Sequence, residues 1–196
     1  MTSRCPLRCR APPFFEARTT RKFLPQEVSD GTLRELADLM RWGPTANNST
    51  PGRLVFIRSP EAKARLNPHL SAGNREHTMA APVTAIVAYD LAFHKHFGKL
   101  APHVDIAKFA TAAPEKIEEN ASRNSSLLGA YLIIAARALG LACGPMSGFD
   151  NPGLDREFFP DGKTKSNFLC NLGYRAPDST RPRAARLDFD EFCKIL

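Results

Sequence analysis

The sequence predicts an α+β fold, and three observations carry that prediction. Strand-like runs are few and short, at residues 54–58, 83–89 and 167–174, and helix-like stretches outnumber them. The two kinds do not alternate in the regular rhythm of a doubly wound sheet. The longest helical stretch, residues 114–139, is apolar nearly all round in its second half, from Leu127 to Ala136. A helix of that kind is buried in a large core or in an interface.

Along the chain, Ser29 and Asp30 open the first helix, and Leu33, Leu36, Ala37 and Met40 form its apolar stripe. Gly43-Pro44 ends it. The loop at residues 42–51 is dense in Pro, Asn, Ser and Thr. Its backbone needs polar partners, and its amides and hydroxyls offer donors and acceptors together. A flat, polar heterocycle is one natural partner; a plain turn is the other reading. After the strand at 54–58, Ser59-Pro60-Glu61 places a cap, a first-position proline and an acid at a helix start. Pro82 introduces the strand at 83–89. Gly140 is set to end the long helix in a left-handed cap, with Leu141 folding back. The stretch from Gly144 to Asp150 reads as a helix-to-helix connection whose glycines also let a backbone approach a planar ligand. After the strand at 167–174 comes a basic run, then a segment beginning at Leu187-Asp188-Phe189.

A chain of 196 residues with 43% apolar and 24% charged residues supports a single core-bearing domain, expected at 14–196. Residues 1–13 are rich in Pro and Arg, lack acids and lack a secretory apolar core, so a disordered basic tail is expected there. No apolar run is long enough for a membrane span. The five cysteines, Cys5, Cys9, Cys143, Cys170 and Cys193, are scattered without ligand spacing. They read as reduced thiols of a cytoplasmic protein, with no metal site. His94, His96 and His103 lack carboxylate support and read as surface residues. The net charge of +7 gathers at the two ends, in Arg4, Arg8, Arg10, Arg18, Arg21 and Lys22 and then in Arg175, Arg181, Arg183 and Arg186. No basic block is interleaved with aromatics, so nucleic acid is not an expected partner. Two cationic ends fit one phosphate held from both; ordinary solvated surface is the alternative.

Glycine-rich phosphate turns, GxGxxG and GxxxxGKS, are absent. A nucleotide-like ligand would therefore be held by arginines and loops. Arg18-Thr19-Thr20-Arg21 offers two guanidinium groups and two hydroxyls to a phosphate, and Arg181 to Arg186 offers three more guanidinium groups.

In order, the Arg18–Arg21 segment, the loop from Pro44 through Asn48 to Pro51, Leu139-Gly140-Leu141, Pro145 to Asp150, Leu172-Gly173-Tyr174 and Arg181 to Arg186 resemble the FMN-dependent nitroreductase family. The resemblance runs from about residue 14 to the C-terminus. The wording of Trp42-Gly43-Pro44-Thr45, of residues 81–88, of Arg123-Asn124-Ser125-Ser126, of residues 144–150 and of Lys165-Ser166-Asn167 is similar to its malonic semialdehyde reductase-like branch. Two departures stand out. Ala17 replaces a frequent second arginine, and Thr50-Pro51-Gly52 replaces Gln-Pro-Trp, which removes a bulky ring and widens the site.

The resemblance implies a central, mostly antiparallel sheet flanked by helices, in an intertwined homodimer with FMN at the subunit interface. It assigns Arg18, Thr19 and Arg21 to the phosphate and ribityl chain, with Arg183 and Arg186 adding charge. It assigns Asn48 to the pyrimidine side of the flavin, and Ser147 and Gly148 to a backbone N–H near the flavin N5. NADPH or NADH is the implied hydride donor, and reduction of malonic semialdehyde to 3-hydroxypropionate the implied reaction, with Arg123 as the candidate for the substrate carboxylate. No protein acid–base residue is implied. A broad nitro- or quinone reductase and a non-catalytic flavin-binding protein are the alternatives.

Overall fold

The structure, a computed structural model, describes residues 11–177, 179 and 181–196. Most of the expected 1–13 tail, with Cys5, Cys9, Arg4, Arg8 and Arg10, lies outside the described residues. Ala11–Phe15 forms a single helical turn, and the Pro13 carbonyl accepts from Arg137 Nη1 at 3.1 Å.

Among the described residues, four strands make one antiparallel sheet in the order β1-β2-β4-β3: β1 Gly52–Ile57, β2 Val83–Asp90, β3 Ala142–Met146 and β4 Thr164–Gly173. Gly52 pairs with Tyr89, Val83 with Leu172 and Ala142 with Gly173. Strand β2 is buried almost throughout because both sheet faces are covered. Val83, Ala85 and Val87 pack with Leu36, Met40, Leu132 and Ala136, from α1 (Asp30–Met40) and α4 (Pro114–Ala138). Ile86 and Ala88 pack on the other face with Leu66, from α2 (Pro60–Leu66), and with Leu154, from α5 (Asn151–Phe158). The period-2 alternation of a strand thus serves two cores.

Strand β3 corrects the reading of residues 144–150 as a helix-to-helix connection. Gly144 and Pro145 are weak strand formers, which hid it. It lies at the sheet edge, where proline's missing N–H costs nothing. Gly144 is needed there: a Cβ would lie 2.6 Å from the Thr20 carbonyl oxygen. The N-terminal segment runs along this edge, with Thr20 N donating to Cys143 O at 2.9 Å and Phe23 bridging to Arg175.

Helix caps follow the sequence. Ser29 accepts from Thr32 N at 3.1 Å, and Ser59 from Ala62 N at 3.2 Å. Gly140 adopts φ +79°, and Leu141 N returns to Ala136 O at 2.9 Å. Helix α4 buries Ala121, Leu132 and Ala136 fully, yet Leu127, Tyr131 and Ile134 stay 45%, 39% and 37% exposed. Spacings of four and three put these three residues on one outward stripe.

One charge is buried between α2 and the sheet. Lys63 Nζ donates to Thr78 O and Thr84 Oγ1, each at 2.7 Å, and Thr84 Oγ1 donates to Asn171 Oδ1 at 2.7 Å. No carboxylate is among these partners, and burial lowers the Lys63 pKa to about 8.

Candidate functional site

The two basic ends meet. A cavity of about 790 Å³ is walled by Arg18, Thr19, Arg21 and Lys22 from the N-terminal segment, Arg137 from the last turn of α4, and Arg181, Arg183 and Arg186 from the C-terminal arm. Among the described residues, no Asp or Glu lines it. Arg18 Nη1 donates to the carbonyls of Phe15 (3.2 Å), Glu16 (3.3 Å) and Ala17 (2.9 Å). Arg183 Nη2 donates to those of Phe14 (3.1 Å), Phe15 (2.5 Å) and Ala17 (3.2 Å). Desolvation, and then the charges of Arg18, Arg186 and Arg137, hold the Arg183 guanidinium below its ordinary pKa. Arg137 Nε and Ser179 Oγ, both buried in this wall, have no hydrogen-bond partner among the described residues. Orphaned donors and uncompensated like charge together call for an anion. A phosphate monoester fits, since it accepts from several guanidinium groups at once.

The second part of the site is the loop at residues 42–51. Asn47, Asn48 and Thr50 all adopt positive φ, at 52°, 51° and 37°. Asparagine tolerates the left-handed region, but β-branched Thr50 does so at a cost on the order of 1–3 kcal/mol. Several bonds hold the loop in that shape. Ala46 N donates to Asn124 Oδ1 at 2.7 Å, Asn48 Nδ2 to Leu100 O at 2.8 Å, and Thr50 N to Thr45 Oγ1 at 3.1 Å. Asn48 lines a cavity of about 510 Å³ with Trp42, Thr45, Gly52 and Leu128, and that cavity shares no lining residue with the basic one. Within one chain, Asn48 is therefore not brought to the arginines. Nor does Gly52 widen the site as expected. A Cβ at Gly52 would overlap Leu128 Cδ2, so the space left by the missing ring is taken by a leucine of α4.

Ser147 and Gly148 follow β3. The Gly148 carbonyl accepts from Ser71 N at 3.1 Å and from Asn74 Nδ2 at 2.9 Å. Asn74 belongs to α3 (Ala72–Ala80), whose His77 lines the basic cavity. Three residues of helix, about 4.5 Å of rise, separate the residue that holds Gly148 from the one that reaches the cavity. Asp150 has a structural task, capping α5 by accepting from Gly153 N at 3.1 Å. Arg123 stands apart. It is ion-paired with Glu119, 65% exposed, and lines a third cavity of about 760 Å³ with Asn47, His103 and Lys116.

Arg137, Asn74, His77 and Asn124 join the site without having been singled out in the sequence. Arg137 carried a readable signal, being a lone cation in the last turn of an apolar helix. Helix α3, Ala-Gly-Asn-Arg-Glu-His-Thr-Met-Ala, has no apolar stripe to announce it.

An antiparallel sheet with covered faces carries a basic cradle at its edge, with no acid among its described lining residues, and a strained polar loop elsewhere; such a cradle can accept an anionic ligand. The chain belongs to the Nitroreductase family, which it matches over residues 15–174. It is 52% identical, over 93% of both chains, to a protein of Rhodopseudomonas palustris (strain TIE-1) provisionally named an NADH dehydrogenase/NAD(P)H nitroreductase. Its fold is similar to that of a provisionally assigned NAD(P)H:FMN oxidoreductase of Staphylococcus epidermidis (TM-score 0.85, 16% identity, covering 94% of each chain). It is also similar to that of a provisionally assigned nitroreductase of Exiguobacterium sibiricum solved in complex with FMN (TM-score 0.82, 17% identity, covering 92% of this chain and 93% of that one). At such identities the structures speak for the fold.

Proposed function

We propose that the protein is an FMN-dependent NAD(P)H oxidoreductase that works as a homodimer. The observation that carries this reading is the cavity with seven Lys and Arg side chains in its wall, no acid among its described lining residues, and two polar groups without a partner among the described residues. Arg18, Arg21, Arg183 and Arg186, joined by Arg137, would hold the FMN phosphate, and Thr19 would meet the ribityl hydroxyls. Asn48 spends its amide N–H on Leu100 O, so its Oδ1 is left to accept from the imide N–H of a flavin ring. Ser147 and Gly148 would offer a backbone N–H to the flavin. Bound FMN supplies hydride exchange between a nicotinamide and an oxidised substrate.

Homodimerisation joins the two halves of the site, with the arginines of one subunit facing the Asn48 loop of the other. Its support is the bare stripe of Leu127, Tyr131 and Ile134, together with a C-terminal arm on which Leu187, Phe189, Phe192, Ile195 and Leu196 are all exposed. The free thiols Cys143, Cys170 and Cys193 fit a reducing, cytoplasmic setting, and no helix among the described residues is long and apolar enough to cross a membrane.

For substrate we propose malonic semialdehyde, reduced to 3-hydroxypropionate, with Arg123 orienting the carboxylate. The pairing of Arg123 with Glu119 favours a second reading, a broad nitro- or quinone reductase, because that arginine already has a carboxylate. FMN titration followed by NAD(P)H turnover tests the core proposal. A protein that binds FMN and oxidises NAD(P)H supports it; one that stays colourless with added FMN overturns it. A chain that binds FMN without turnover is a flavin-binding protein.

A further inference from the structure

We infer that Asn124 is a positioning residue for flavin binding, acting through the loop that carries Asn48. The inference rests on the assignment of Asn48 to the flavin ring. Asn124 is 2% exposed, on α4, with its amide orientation fixed. Its Nδ2 donates to Asn120 O at 2.9 Å and to Asn120 Oδ1 at 3.2 Å, which leaves Oδ1 turned to the loop. That oxygen accepts from Ala46 N at 2.7 Å. Ala46 is the first residue of the short turn Ala46–Asn48, in which the backbone passes into the left-handed region at Asn47 and Asn48. A turn of this kind persists only when its surroundings over-determine it. Leu100 O fixes the far end of Asn48, and the buried Asn124 amide fixes where the turn begins. Four residues further along α4 lies Leu128, in the wall of the cavity that Asn48 lines. The helix therefore sets both the floor of that cavity and the entry of the loop above it. Asn124 touches no ligand in this arrangement; it holds the geometry from which Asn48 reaches one.

The test is riboflavin affinity of the full-length protein, read by flavin fluorescence quenching. Riboflavin has the ring without the phosphate, so the arginine cradle drops out. Asn48→Ala and Asn124→Ala should each weaken riboflavin by about tenfold, the scale of one lost hydrogen bond, and the double variant should be no weaker than Asn48→Ala alone. Ala46→Pro cuts the same bond from the loop side without disturbing the helix. Proline suits the first position of a turn after the extended Thr45 (φ −136°, ψ 153°), and this variant should reproduce the loss. Parent-like affinity in Ala46→Pro or Asn124→Ala overturns the inference, as does a double variant whose loss is the product of the single losses. A lowered melting temperature with unchanged riboflavin affinity marks Asn124 as merely structural. If Asn48→Ala itself binds riboflavin like the parent, the assignment of Asn48 fails and takes the inference with it. In the first three outcomes Asn48→Ala still loses affinity and the assignment stands.

Discussion

Arg18 and Arg183 come from opposite ends of the chain and donate to the same two carbonyl oxygens, those of Phe15 and Ala17. Two like charges drawn to shared acceptors need an anion nearby to be comfortable, and the C-terminal arm is held to the body by the same contacts. Arg18→Ala and Arg183→Ala should each weaken FMN by about ten- to a hundredfold while changing riboflavin affinity little. Arg183→Ala should in addition speed tryptic cleavage of the arm. Titration of both flavins and timed proteolysis check this, and FMN affinities like the parent's would remove the phosphate assignment.

The stripe on α4 predicts self-association. Tyr131→Glu or Ile134→Glu sets a carboxylate into a surface that would otherwise be apolar and buried, and should shift the protein to monomer by light scattering. With the site divided between subunits, the monomer should also lose FMN. A parent protein that is already monomeric with FMN bound would contradict the shared site.

Lys63 predicts a pH dependence of stability. Its pKa falls from an ordinary 10.5 to about 8 in the folded protein, so between those values the unfolded chain binds a proton that the native state has released. Stability from this group therefore rises with pH through that window, by about 1.4 kcal/mol per unit, and is flat below it. Tyr89 acts in the opposite sense. Burial and its bond to Glu118 raise the phenol, so above its ordinary 10.0 the native state keeps a proton that the unfolded chain loses, and stability falls. Denaturant unfolding at about pH 8 and about pH 10 should show the rise in the parent and its absence in Lys63→Met.

Gly52 and Leu128 are predicted to be coupled. Gly52→Ala in the parent should destabilise by about 1 kcal/mol, because Leu128 must move aside. In a Leu128→Ala background the same change should be neutral or stabilising, since a strand loses less entropy with alanine than with glycine. Equal effects in both backgrounds would mean that Leu128 does not occupy the vacated space.

The substrate proposal turns on Arg123. Reduced enzyme should be reoxidised faster by malonic semialdehyde than by a neutral aldehyde of similar size, and Arg123→Ala should erase that advantage. Glu119→Gln should enlarge it by freeing the guanidinium. Stopped-flow absorbance reads all three; equal rates for the two aldehydes leave the broad reductase.

Much of this fold was legible because its signals were local. Ser29 and Ser59 announce helix starts by their chemistry, and Gly140 announces a stop. The buried strand at 83–89 is apolar on both faces, as a strand between two cores must be. Strand β3 was not legible, because its Gly144 and Pro145 answer to a neighbour remote in sequence, Thr20, and to an edge position that no local pattern encodes. In the site, the arginines were readable as charge. The Asn124 tie to Ala46 was not, since one polar residue among the many in the first half of α4 shows its purpose only once its partner is in place. Leu128 filling the space beside Gly52 was equally hidden, being a relation between two elements.

The segment that carries Arg18 and Thr19 also lies along the outer side of β3, where Thr20 N bonds to Cys143 O. An uncovered edge strand invites another chain to add itself to the sheet. The residues assigned to the phosphate thus belong to the same stretch that closes the sheet against strangers. An anion held in that cavity would tighten this stretch and guard the edge as well, so loss of the anion would leave the sheet more open to extension by a neighbour.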